Sequence, residues 1–144
     1  MKRLSKIVFA LSILPASMSV QAATLTVTDL GDSGTGVCTS TCTLRDALAS
    51  AAPGDTITFA NTLSYPATIT LSGQQLLVYK SLTIIGPSAQ LLSISGNSNS
   101  RLFEIAANST VAIDALTLTG GKVTGADGAS SANGSPAYGG AVYV

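Results

Sequence analysis

The chain contains no histidine and no tryptophan, has only two cysteines, and carries charge on just 10 % of its residues. Each shortage removes a class of function. Without His, the thiols of Cys38 and Cys42 lack the partners that a tetrahedral zinc site needs, so neither a metal nor another cofactor is expected. The charged fraction is well below the roughly 25 % usual in soluble domains. Its formal balance of zero changes once Lys2, Arg3 and Lys6 are assigned to a removable leader. From Ala23 onward, Arg45, Lys80, Arg101 and Lys122 face Asp29, Asp32, Asp46, Asp55, Glu104, Asp114 and Asp127, which leaves about −3. No basic patch remains to meet a phosphate backbone, so nucleic acid is not an expected partner. Aromatic residues make up 5 % of the chain, while small and β-branched residues abound, a balance that suits a sheet-rich, repetitive structure with threonine facing outward. The apolar fraction of 46 % excludes simple disorder.

Residues 1–22 read as an export signal. Lys2, Arg3 and Lys6 form a positive start, Ile7 to Leu14 an apolar core, and Val20-Gln21-Ala22 places small residues where a signal peptidase requires them. Cleavage is expected between Ala22 and Ala23. The apolar stretch is too short to span roughly 30 Å of hydrocarbon, and Pro15 interrupts it. No other segment approaches membrane length, so the mature chain is expected to have no transmembrane span. The implied location is secreted or at the cell surface, outer-membrane-associated, by the Sec route.

Residues 23–55 read as an N-terminal cap. In an oxidising compartment the even cysteine count favours a structural disulfide between Cys38 and Cys42. Thr43 is placed to cap a helix, with Asp46 three residues on completing a capping box. Leu44, Ala47, Leu48 and Ala51 then make one apolar stripe, and Pro53-Gly54-Asp55 ends a helix of about nine residues. So short a helix must lie on something. The run Cys42-Thr-Leu-Arg-Asp-Ala-Leu48, with an upstream Cys and a downstream Pro-Gly-Asp-Thr-Ile-Thr-Phe, resembles the CSLREA domain. The likeness spans Thr24 to Phe59 and departs from the motif in Thr for Ser, Asp for Glu and Leu for its last apolar residue. It implies the front of a bacterial secreted or surface β-helix protein. Arg45 is expected to hold the cap through an ion pair or carbonyl contact.

Residues 56–144 repeat a template of apolar, Ser/Thr, apolar, variable, Gly. It occurs at Ile69–Gly73, Leu82–Gly86, Leu92–Gly96 and Leu116–Gly120, with similar alternation at Leu102 to Ile105 and Val111 to Ile113. Period two means one buried face and one exposed face. The expected fold is therefore all-β: a right-handed parallel β-helix, a pectate-lyase-like solenoid with a short N-terminal capping α-helix. In it Ile69, Leu71, Leu82, Ile84, Leu92, Ile94, Ile105, Val111, Ile113, Leu116 and Leu118 point inward and stack coil on coil. The competing reading of short strands is an antiparallel sandwich. Residues 120–140 form an expected Gly/Ser-rich loop, in which Asp127 offers too few oxygens for calcium. The ending Gly139-Gly-Ala-Val-Tyr-Val144 resembles the repeats of chlamydial polymorphic outer-membrane proteins, and the coils are expected to be incomplete at the C-terminus, the chain being the front of a longer protein.

No catalytic residues are assigned. The leading functional expectation is a non-enzymatic surface or secreted adhesin or structural passenger, with a host-surface or polysaccharide ligand as partner. One alternative is the front end of a polysaccharide lyase or glycoside hydrolase, with its active site expected in further coils that this sequence does not include. That chemistry needs paired carboxylates, and here only Glu104 and Asp114 lie near adjacent strands, with Arg101 equally near as an ion-pair partner. The other alternative is an ice-type surface binder built on Thr24-Leu-Thr26-Val-Thr28, Thr56-Ile-Thr58, Thr68-Ile-Thr70 and Thr117-Leu-Thr119.

Overall fold

The computed structural model describes residues 21–125 and 135–144. The expected signal peptide, apart from Gln21 and Ala22, lies outside the described residues, as does the part of the expected Gly/Ser-rich loop that holds Asp127.

Among the described residues, ten strands and one helix follow one another. The first strand, β1 (Thr24–Val27), precedes helix α1 (Leu44–Ser50) and strand β2 (Thr56–Phe59). Then come β3 (Ala67–Thr70), β4 (Leu76–Val78), β5 (Leu82–Ile85), β6 (Leu92–Ser100), β7 (Phe103–Ile105), β8 (Val111–Asp114), β9 (Thr117–Gly121) and β10 (Val142–Tyr143). They group into a four-stranded sheet ordered β1-β2-β5-β8 and two three-stranded sheets, β3-β6-β9 and β4-β7-β10. Every pairing is parallel. Neighbouring strands are therefore far apart in sequence, and hairpins of the sandwich kind do not build these sheets.

The expected right-handed parallel β-helix is corrected by this arrangement. The described residues form a small, mostly-β structure of three short parallel sheets and one helix, not a pectate-lyase-like solenoid. The repeated template does not mark one recurring coil position. Its copies at Ile69, Leu92 and Leu116 fall in or beside β3, β6 and β9, while the copy at Leu82 forms β5 of a different sheet. Pairing is brief, down to two residues in β2·β5 and β10·β7, and the β6·β9 register breaks between Ser95 and Ser100. Alternation specifies a half-buried strand but neither its partner nor the hand of its connection. The expected inward set is uneven as well: Val111, Ile113, Leu116 and Leu118 are only half-buried.

The core lies between the sheets. Parallel register aligns Leu25, Ile57, Ile84 and Ile113 across the first sheet. It likewise aligns Ile69, Ile94 and Leu118 in the second, and Leu76, Phe103 and Val142 in the third. Ile57, Ile84, Ile69, Ile94, Leu76 and Phe103 are sealed from solvent, while Leu25, Ile113, Leu118 and Val142 on the outer strands are partly open. Buried apolar area supplies the main favourable term in folding, so these six sealed side chains, Ile69 and Leu76 on the outer strands β3 and β4 included, contribute strongly to stability.

Helix α1 has seven residues rather than about nine, and stops at Ser50. Ala51 still donates to the Ala47 carbonyl, but its backbone is already extended, at φ −57 and ψ 144. The next amide, on Ala52, donates to Asp55 Oδ2 at 2.7 Å instead of continuing the helix. Proline at 53 disfavours the helical conformation at Ala52 as well.

Candidate functional site

The densest polar constellation is the cap, in which α1 is fastened to the starts of the sheets. The capping box is present: Thr43 accepts from the Asp46 amide at 3.2 Å, and Asp46 Oδ2 accepts from the Thr43 amide at 3.1 Å. The Thr43 hydroxyl also donates to Oδ2, at 2.8 Å. Asp46 Oδ1 receives the amides of Thr35 and Gly36 at 2.6 and 2.7 Å. Burial on its own would raise the pKa of this carboxyl, but the donors from Thr43, Gly36 and Thr35 outweigh it and lower the pKa to about 2. Asp46 thus gathers the loop before the helix onto the helix's own first turn.

Cys38 and Cys42 are joined as a disulfide across that loop, with their Cα atoms 4.6 Å apart. A ring this small restricts the unfolded chain by about 2 kcal/mol. Cys42 is buried, its carbonyl accepts from the amides of Thr28 and Asp29 at 2.8 and 3.1 Å, and its amide donates to the Thr28 hydroxyl at 3.0 Å. The Cys38 amide donates to Ser50 Oγ at 3.0 Å. The staple therefore connects the end of β1 to both ends of the helix.

Arg45 forms both kinds of contact expected of it. Its Nε donates to Asp32 Oδ1 at 2.8 Å, and its two terminal nitrogens reach the carbonyls of Gln75, at 3.0 Å, and Gln74. Asp32 Oδ2 accepts in turn from the amide and hydroxyl of Ser72 at 2.7 and 2.6 Å. At the other end of the helix, Lys80 donates to the carbonyls of Ala49 and Ala51. Between the two cations runs a groove of about 450 Å³, lined by Leu48, Gln75, Leu77 and Tyr79. Leu77 and Tyr79 are exposed in it.

No protein-family model, curated protein or solved structure matches this chain.

The structure sets the remaining sequence candidates apart. Glu104 lies on β7 and Asp114 on β8, strands of different sheets. Arg101 sits 3.4 Å from Glu104, donates to the carbonyls of Gly139 and Tyr138 at 2.8 Å each, and stacks 4.7 Å above the Tyr143 ring. The pattern Thr-x-Thr is divided: Thr24, Thr26, Thr56 and Thr58 belong to the first sheet, Thr68, Thr70, Thr117 and Thr119 to the second. Among the described residues, no group of three or more His, Cys, Asp or Glu side chains could hold a metal ion. Nor is any helix among them long and apolar enough to cross a membrane.

Two contributors escaped sequence reasoning. Lys80 carries no motif. Asp55 read as a turn residue, yet it is buried and accepts from Ala23 and Ala52, contacts that hold its carboxyl below the usual range with help from the Lys80 charge. The Ala23 carbonyl accepts from the Thr56 amide at 2.9 Å, while Ala22 is exposed. No signal in the sequence points to either contact, since the burial that obliges Asp55 to find donors is visible only in the fold.

Proposed function

We propose that the chain is an exported, non-enzymatic bacterial protein of the cell surface or the secreted medium. In it the CSLREA-like segment serves as a structural end-piece for the parallel sheets. What supports this reading is how the cap's charged side chains are used. Asp46, Asp55, Arg45 and Lys80 each bind backbone groups of the chain itself. A carboxylate saturated by amide donors is held ionised and is a poor general acid or base near neutral pH. The sheets, whose outward positions mix threonine with exposed Leu77, Ile85 and Tyr143, then act as a scaffold that presents surface to a host-cell or polysaccharide partner.

The test has two arms. The full chain, expressed with its own leader in a bacterial host, is followed by cell fractionation and by binding to host-cell surfaces and polysaccharide panels. The same preparation is incubated with pectin, alginate and β-glucan while absorbance at 235 nm and reducing ends are read. Export with surface or polysaccharide binding and no turnover is the expected outcome. Retention in the cytoplasm, or turnover of any of the glycans, overturns the reading.

A further inference from the structure

The buried Asp55 carboxylate faces the backbone nitrogen of Ala23, the residue that the leader pattern makes the first of the mature chain. Its Oδ1 lies 2.8 Å from that nitrogen, and Ala22 on the other side of the peptide bond is exposed. We propose that Asp55 is a built-in receptor for the α-ammonium group of Ala23, so that removal of the leader fastens the start of the first sheet. The proposal rests on the export reading above.

The chemistry is ordinary hydrolysis by a signal peptidase. Water cleaves the carbon–nitrogen bond between Ala22 and Ala23, leaving Ala22 as a carboxylate on the released leader and Ala23 as an ammonium ion. The two water hydrogens join the amide hydrogen on nitrogen, and no other reactant is needed. In the uncut chain a neutral amide donates to Asp55. In the cut chain a cation occupies the same position and adds the attraction of a full opposite charge to a hydrogen bond that the carboxylate already assists.

The surroundings make this position consequential. Asp55 Oδ2 is already occupied by the Ala52 amide that ends α1. The backbone carbonyl of Asp55 accepts from Thr83 at the start of β5, and that of Ala23 accepts from Thr56 at the start of β2. One ion pair thereby sits where the helix end meets the starts of β1, β2 and β5. Lys80 is the other cation acting on this carboxylate among the described residues. It is committed to the carbonyls of Ala49 and Ala51, which leaves Oδ1 to the terminus.

An amine that gains a carboxylate partner has its pKa raised above the usual 7.7 to 8.0 or so. The fastening is therefore complete below that range, down to the acid pH at which Asp55 takes up a proton, and is lost as pH rises through the amine's folded-state value. A terminus moved by one residue, or acetylated, has no such dependence.

The full chain is exported from a bacterial host, and the N-terminus of the purified product is sequenced. Its α-amine is then titrated by pH-dependent acylation. It is compared with the same protein retaining Ala22, released from a fusion with that terminus, and with Asp55→Asn. The retained-Ala22 protein keeps Asp55 intact and so remains informative if Asp55→Asn fails to fold. We expect sequencing to begin at Ala23. We also expect acylation at pH 7.5 roughly tenfold slower than in the retained-Ala22 protein, and a melting temperature about 3 °C or more above it, a gap that closes by pH 10. Sequencing at Ala23 with equal acylation rates and equal melting temperatures overturns the receptor and leaves the export reading standing. An uncut or differently cut product overturns the export reading at this bond and the proposal with it.

Discussion

Lys80 Nζ donates to the carbonyl oxygen of Ala51 at 2.6 Å, and to that of Ala49 at 2.9 Å, from a position just past β4. The last turn of α1 has no basic residue of its own. A helix end leaves carbonyls without intrahelical partners and carries partial negative charge, so a cation there both satisfies and neutralises it. Replacing Lys80 by Met keeps the aliphatic stem and removes the donors. We expect a loss of about 1 kcal/mol in urea unfolding, with Lys80→Arg retaining part of it. An unchanged midpoint in Lys80→Met would show that water replaces the ammonium without cost.

Asp46 predicts an acid limit to stability. Its carboxyl is held at about 2 in the folded chain, against 3.8 as its ordinary value. Its folded value is the lower one, so the stabilisation is fully present above pH 4 or so and disappears as pH falls through about 2. Urea midpoints should therefore decline between pH 4 and pH 2 in the natural chain. Asp46→Asn should flatten that decline and unfold more easily at neutral pH by about 2 kcal/mol, since the amides of Thr35 and Gly36 lose a charged acceptor. Parallel acid profiles for the two proteins would assign the acid sensitivity elsewhere.

Local order was legible in the residues, and long-range order was not. Thr43 and Asp46 announce the helix start, and the stripe Leu44, Ala47, Leu48 and Ala51 is buried in full. These signals act within one or two turns and need no partner from elsewhere. Alternation placed Ile69, Leu82 and Leu92 on strands, all with buried side chains. The same alternation could not say that Ile69 and Leu92 share a sheet while Leu82 belongs to another, because a period of two is identical in every sheet. That ambiguity underlies the corrected architecture. The ties made by Asp55 and Lys80 span 32 and 29 residues, and no pattern of neighbours encodes a contact at that separation.

The glycine at the end of the Leu82 copy is a packing requirement. A Cβ on Gly86 would meet the carbonyl oxygen of Ala115 and the side chain of Leu116 on the adjoining segment. Backbone cannot withdraw as a flexible side chain can. Gly86→Ala is expected to cost about 1 to 3 kcal/mol in unfolding experiments. Gly54 is the useful comparison: it has open space around the missing Cβ but a φ of +93, so Gly54→Ala tests backbone strain without collision. If Gly86→Ala leaves stability unchanged while Gly54→Ala lowers it, crowding at position 86 is not what that glycine relieves.

Enclosure, rather than strand order alone, should decide what the aligned apolar residues contribute, since Ile69 is sealed although β3 is itself an outer strand. Ile94 on β6 lies between Ile69 on β3 and Leu118 on β9, with parallel partners on both sides, and is sealed from solvent. Leu118 occupies the equivalent register on the outer strand and is partly open. Truncating a sealed aliphatic side chain loses its transfer energy and leaves a cavity, and the cavity contribution disappears where water can enter. Ile94→Ala should therefore destabilise by about 3 kcal/mol or more, and Leu118→Ala by about half of that. Equal losses, measured by urea unfolding of the full chain, would mean that Leu118 is as enclosed in solution as Ile94. The second sheet would then not end at β9.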